Sequence, residues 1–520
     1  MSSIFWNAAL IFAVPALAQV TTWQYDNART GANLHETILT PGNVNSAHFG
    51  KLFSRRVEGD IYAQPLYLPG VEIPGKGIHN VVYVATEHDS VYAFDADGQP
   101  SEPLWKVSFL NANASTVPAR DVHCPFITPE IGITSTPVID LKSGTFYVLA
   151  RTKESDGILS HRYVQRLHAL AITTGVEKFG SPVEIRASVK GRGAGGSQGQ
   201  VAFDPLLENP RAALLLVNGN VYLTWGSSCD VGPYHGWVMA YDAHTLAQVA
   251  VFNTSPDADE SGIWQSDAGP AADADGNVFV ATGNGKFDAP GRDYGDSVLK
   301  LALVNGSFLL RDYFTPFNQR ALNSEDNDLG SGGPVLLPDQ PGPHPHLLVV
   351  AGKGGMIYII DRDRMGKYQA DADSHAVQTL LSAGTGAFGA PAYWNHHVYF
   401  LCSNDVLKDF AVQGGQLSRT PVARGTERFI DPGAIPVVSS NGTAAGIVWL
   451  LSSKGWRSPD RPAVLHAYDA TNVAHELYNS HQNSARDEAG RALRFAAPMI
   501  VNGRVYVGAK SELDVYGLLK

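Results

Sequence analysis

His235, with Glu130 or Asp431 as a carboxylate partner, is the group in this 520-residue sequence best suited to moving a proton. Histidine changes charge near neutral pH, and a carboxylate beside it orients the ring and supports its charged form. His88 is the reserve base. Arg151, Lys353, Lys454 and Lys510 follow short apolar runs, and together with Arg428 they favour an anionic ligand such as a carboxylate in a chain of net charge −11. Trp264, next to Gln265, and Trp456 are the side chains to flank a planar ring. Asp326-Asn327-Asp328 has the oxygen-rich composition of a Ca²⁺ loop without its full spacing, which leaves Asp328 as the metal candidate against a solvated or helix-capping role. Each assignment competes with a plainer one. A loop histidine is ordinarily a hydrogen-bonding residue, and the cations can pair with Asp328 or Asp431 merely to tie segments together.

These residues must be held by something, and the sequence repeats itself. A small residue and Pro lead to an apolar strand, a turn, a Val-Tyr-Val strand, a polar loop, and an apolar strand ending near Asp. The copies are anchored at Pro65, Pro137, Ala213, Pro270, Pro334, Pro391, Pro436 and Pro498. Pro65 and Pro498 are 433 residues apart, seven intervals of about 62. That exceeds the usual propeller repeat of about 40–45 residues, so the surplus belongs to loops. Turn pairs such as Asn502-Gly503 and Asp275-Gly276 separate the strands. One such sheet cannot cover both of its own faces, whereas sheets arranged radially cover one another. The expected fold is therefore an all-β, eight-bladed propeller of four-stranded antiparallel blades. The eighth copy reaches Lys520 after three strands, and residues 49–57 read as a strand without companions. They are expected to complete the last blade and close the ring.

In a propeller, the loop before each innermost strand and the loop between the second and third strands emerge at one face. Polar residues there should ring one funnel, among them Glu87, Asp89, Asp230, Tyr234, Asn284, Asn404 and Arg494 besides the candidates above. Cys124 and Cys229 fall in such loops on adjacent blades and are expected to form a disulfide, leaving Cys402 as a buried thiol within a strand.

Apolar residues make up 44% of the chain and charged residues 17%, which suits a folded β protein with a substantial core. An acidic chain has no basic face for nucleic acid. The apolar run from Ile4, ending in Ala16-Leu17-Ala18, reads as a secretory signal over residues 1–18, with one domain over 19–520. No later segment is apolar enough to span a bilayer. Secretion, to the outside or to a bacterial periplasm, is expected, and sequons at Asn113, Asn253, Asn305 and Asn441 fit a glycoprotein. A monomer binding a small molecule is expected.

Tyr92-Ala93-Phe94-Asp95-Ala96-Asp97-Gly98, reaching Trp105, resembles the repeat of the pyrroloquinoline-quinone (PQQ) dehydrogenases, and Tyr241-Asp242-Ala243 and Tyr468-Asp469-Ala470 look like further copies. The resemblance covers roughly residues 23–520. It implies a quinoprotein-like propeller, an oxidoreductase activity on a small molecule in the funnel, and PQQ with Ca²⁺ as cofactors. Those enzymes commonly set two adjacent cysteines against the quinone, and no adjacent pair exists here, nor a Cys-x-x-Cys-His haem motif. No local motif assigns PQQ or Ca²⁺ ligands. A cofactor-free lyase, isomerase or cyclase using the same funnel, or a non-catalytic binding propeller, is the alternative. The Gly-rich run 191–197 lacks the Lys-Ser/Thr ending of a phosphate loop, and no Gly-x-Ser-x-Gly elbow is present.

Overall fold

The inner strands of this chain are buried on both faces. Val81, Val82, Tyr83, Val84 and Ala85 are all buried, where a half-exposed sheet would alternate. Each sheet must therefore be covered twice, and radial stacking does that. The computed structural model describes residues 18–520 apart from 156, 158–159, 289–290, 382–383 and 459. All of the expected signal segment except Ala18 lies outside the described residues.

Eight small antiparallel sheets form a ring, an eight-bladed β-propeller. Their innermost strands begin at Leu66, Val138, Leu215, Ala271, Val335, Ala392, Val437 and Met499, one or two residues after the repeat anchors. Several blades exceed four strands. The second carries a hairpin from Ala114–Pro118 and Glu130–Ile131, and the fourth takes up Lys367–Tyr368. The ring closes as expected: Phe49–Arg56 pairs antiparallel with Glu512–Leu518 as the outer strand of the eighth blade. Phe49 packs against Trp449, Tyr478 and Tyr516 at 4.9–6.4 Å, which pins this strand to the seventh blade as well. Asn502 and Gly503 both have positive φ (51° and 74°), the two-residue turn that matches hairpin twist.

The tyrosine of the repeat has a definite task. Tyr83 donates its hydroxyl to the carbonyl of Ile172, Tyr147 to Ala243, Tyr399 to Ala470 and Tyr506 to Ala96. Each bond runs from the second strand of one blade to the third-strand end of the next. The motif is thus a clamp between neighbours, satisfying a buried phenol and a carbonyl together.

The central channel is stopped by the chain's own N-terminal segment, which sequence patterning does not reveal. Val20 pairs with Tyr67 of the first blade, and Ile139 N–H donates to Thr21 O in the second. Asn27 donates to Leu216 O in the third and accepts from Ala272 N in the fourth. Leu336 N, Tyr393 N and Val438 N donate to Ala28 O, Thr30 O and Gly31 O, and Ile500 N donates to the Tyr25 hydroxyl. All eight innermost strands thereby find partners along edges that would otherwise face an open channel. At the centre lies Arg29, fully buried. Its guanidinium donates to Pro270 O (2.8 Å), Thr22 Oγ1 (2.7 Å), Trp23 O (2.8 Å) and Leu214 O (3.1 Å).

Candidate functional site

A cavity of about 340 Å³ opens among the loops that lead into six of the eight blades. Residues 124–131 come from the second blade, 209–211 and 227–230 from the third, and Trp264 from the fourth. The fifth supplies Asp326, Asp328 and Lys353, the sixth Phe388, and the eighth Arg494 and Phe495. These are the loop positions that propeller geometry assigns to one face.

Cys124 and Cys229 are joined by a disulfide that lines this cavity, their Cα atoms 5.6 Å apart. Cys229 and Asp230 both have positive φ (55° and 54°), a conformation unfavourable to residues with a side chain. The disulfide holds the first, and the Tyr234 hydroxyl holds the Asp230 carboxylate at 2.8 Å. Cys402 is buried and lies outside the disulfide.

Opposing charges meet around the indole of Trp264. Its Nε1 donates to Asp328 Oδ2 at 3.2 Å, and the Lys353 ammonium lies 5.4 Å from the ring centre. Lys353 Nζ is 2.6 Å from Asp326 Oδ1 and 3.3 Å from Asp328 Oδ2. Burial works against this ammonium, but Asp328 and Asp326 outweigh it and hold its pKa above the ordinary value. Asp328 is only 4% exposed, and its Oδ1 has no hydrogen-bond partner. Burial raises its pKa to about 6, opposed by Lys353 and reinforced by Asp326 and Asp230. A carboxylate ionised at neutral pH, with one oxygen oriented and the other available, has the properties of a general base. Asn209 Oδ1 and Ser228 Oγ, also buried on the cavity wall, have no partner either.

The adjoining wall is aromatic and cationic, with Phe388 and Phe495 at 6.2 and 6.1 Å from the Trp264 ring. Phe126, Phe388 and Phe495 line it with Arg494, and Trp456 stands behind, edge-on to Phe126 at 5.6 Å. Arg211 pairs with Asp267 (Nε–Oδ1 2.7 Å) and lies 5.0 Å from the Phe495 ring.

Among the sequence candidates, Cys124, Cys229, Trp264, Asp328 and Lys353 meet at this cavity, with Asp230 and Arg494. The others are not on its wall. Both ring nitrogens of His235 face carbonyls, Ser255 O and Ala194 O at 3.0 Å, so the imidazole ties the Gly-rich loop to its blade. His88 and Glu130 do pair, at 3.0 Å, but with each other and away from the cavity lining. Gln265 is consumed by the backbone of Ala281 and Ala268. Asp431 stands 3.8 Å from Arg457, Arg428 donates to Asn404 O, Lys454 is exposed, and the Lys510 backbone N–H bonds Arg491 O. Arg151 is fully buried beside Glu87, Asp89 and Glu208. Asp328 is set against an ammonium and an indole N–H, and among the described residues no three His, Cys, Asp or Glu side chains gather as metal ligands. The donor set therefore does not fit a divalent ion, because Lys353 already bridges the two carboxylates. Asn253, expected as a glycan acceptor, is buried, whereas Asn113, Asn305 and Asn441 are exposed.

Phe126, Asn209, Arg211, Phe388 and Phe495 were not singled out from sequence. Arg211 had a signal, since it stands just ahead of the third innermost strand. The phenylalanines had none, being indistinguishable in type from core residues.

Burial raises the Glu87 pKa to about 8 from an ordinary 4.5. Between those values the folded protein keeps a proton that the unfolded chain has released, so stability falls as pH rises through this window. Glu87→Gln, which retains the acceptor for Gly132 N–H, is expected to flatten that fall by up to a few kcal/mol. Urea denaturation of both proteins from pH 5 to 9 checks this; parallel pH profiles would contradict it.

Two solved structures share the fold, and a third aligns more weakly. A quinohemoprotein alcohol dehydrogenase from Pseudomonas putida aligns with TM-score 0.61 and 15% identity, over 98% of this chain and 82% of its own. A europium-containing methanol dehydrogenase aligns with TM-score 0.61 and 14% identity, over 96% and 98%. BamB from Moraxella catarrhalis aligns with TM-score 0.48 and 12% identity, over 90% and 97%. What the chain shares with the two dehydrogenases is the propeller architecture. No family model and no curated protein sequence matches the chain. At these identities the likeness concerns architecture, and activity must be argued from the cavity itself.

Proposed function

We propose that this chain is an oxidoreductase that oxidises a hydroxylated small molecule in the Trp264 cavity, with a quinone of the PQQ class as electron acceptor. The observation that carries the proposal is the joint presence of a disulfide, an indole and a buried carboxylate of pKa about 6 in one cavity. The alcohol and methanol dehydrogenases of the same fold suggest the chemistry. The cavity's residues suit a flat quinone. Its volume of about 340 Å³ takes a small planar molecule. The disulfide and Trp264 offer apolar walls, and Asn209 and Ser228 offer unfilled hydrogen-bonding capacity.

A bound quinone supplies a two-electron acceptor. The protein's part is to place the hydroxyl near Asp328, which removes its proton, while Lys353 balances the carboxylates and Trp264 orients Asp328. The disulfide fits an oxidising compartment and so an exported protein.

The purified protein should show a visible quinone band after addition of PQQ, tested with and without Ca²⁺, and should then reduce an electron-accepting dye with alcohols or sugars. Absence of both the band and dye reduction would remove the quinone reading. Turnover without quinone would favour a lyase or isomerase using the same Asp328–Lys353 pair.

A further inference from the structure

The aromatic end of the cavity contains a cation without an ion-pair partner among the described residues. The Arg494 guanidinium carbon is 4.5 Å from the Phe495 ring centre, 4.8 Å from Trp456, 4.9 Å from Phe126 and 5.4 Å from Phe388. Three guanidiniums gather here, those of Arg211, Arg457 and Arg494, against two carboxylates. Asp267 is taken by Arg211 at 2.7 Å, and Asp431 stands 3.8 Å from Arg457. Among the described residues no carboxylate lies within salt-bridge distance of Arg494, and its buried Nε has no acceptor. Burial, and next the repulsion of Arg211, lower its pKa to about 10, so it remains charged at neutral pH.

A guanidinium surrounded by ring faces offers a ligand only its N–H edge. That edge matches a planar anion with two acceptor oxygens. The same rings present flat apolar surface to whatever carries the anion. We propose that this end of the cavity recognises a carboxylate borne on a planar apolar body, so that the substrate is an aromatic or similarly flat carboxylic acid. The inference rests on the reading above in taking this cavity as the substrate site. It does not depend on the quinone.

The test is binding of benzoate to the full-length protein without added quinone, followed by tryptophan fluorescence and calorimetry, with benzyl alcohol and acetate as comparisons. Benzoate should bind at least tenfold more tightly than either. Benzyl alcohol retains the ring without the charge, and acetate the charge without the ring. Arg494→Gln should weaken benzoate at least tenfold and leave benzyl alcohol unchanged. Arg494→Lys, which keeps the charge and loses the planar fork, should fall between. Benzoate binding no tighter than benzyl alcohol in the unmodified protein would overturn the proposal even if both variants misfolded. Equal benzoate affinity in a folded Arg494→Gln protein would do so too. Because these readouts need no quinone, dye reduction can fail while carboxylate selectivity stands, and the reverse.

Discussion

Asp328→Asn is expected to lower turnover by about 10²–10⁴-fold, the range for removing a positioned general base. Oδ2 of Asp328 is held by Trp264 Nε1 and Lys353, and Oδ1 has no protein partner. Asparagine keeps the shape and the ability to accept from the indole, but it cannot take a proton. The pKa of about 6 also sets a pH dependence. In the free enzyme the base is protonated below that value, so kcat/KM should rise tenfold per pH unit up to about 6 and level above it. The variant's residual rate should lack that rise. Stability separates this effect from misfolding. A carboxylate whose pKa is raised in the folded state weakens that state as pH climbs from about 4 to 6. Removing its charge should therefore leave urea resistance at pH 7 intact or improved. Undiminished turnover in Asp328→Asn would transfer the base elsewhere and dissolve the assignment.

The second large effect concerns stability. Arg29→Ala should destabilise the fold by about 3–5 kcal/mol, as expected for breaking a buried, charged hydrogen-bond network. Four acceptors, Pro270 O, Thr22 Oγ1, Trp23 O and Leu214 O, lose their donor at once, and two of them belong to the third and fourth blades. The arginine also shapes its own segment: Gln24, Tyr25 and Arg29 all have positive φ, which only a well-packed surrounding sustains. Arg29→Lys should recover little, because a single ammonium cannot span that fan of acceptors. Equilibrium denaturation monitored by tryptophan fluorescence reads the effect. A change below about 0.5 kcal/mol, the size of an ordinary surface substitution, would mean that the stopper contributes nothing to the ring.

Several parts of the molecule could be read before folding. Eight copies of the Pro and Val-Tyr-Val pattern marked the blades because each blade is built from local hairpins, whose strands are neighbours in sequence. Residues 49–57 announced the ring closure because an isolated apolar strand requires an edge to pair with, and the eighth blade had one vacant. Position along the repeat also placed Trp264, Asp328, Lys353, Asp230 and Arg494 in loops that together line one cavity.

Position did not reveal direction. Arg151 and His235 follow their apolar runs as Lys353 and Asp230 do, yet Arg151 lies within the strand Thr145–Ser155 and both turn into the protein, toward buried carboxylates and backbone carbonyls. Which way a loop side chain points depends on neighbours from other blades, and no repeat encodes those. The same reason explains the aromatic wall, whose phenylalanines match core residues in type until three blades bring them around Arg494.

The cysteine pair shows the division most clearly. In the sequence the absence of adjacent cysteines weighed against a quinone, since adjacency is what a linear motif can display. The bond between Cys124 and Cys229, 105 residues apart, was legible from their loops on adjacent blades, whereas its place on the cavity wall is known only from the folded chain. Local hydrogen-bonding pattern wrote the propeller into the chain. The site and the stopper around Arg29 required contacts between segments hundreds of residues apart, and those exist only once the ring has closed.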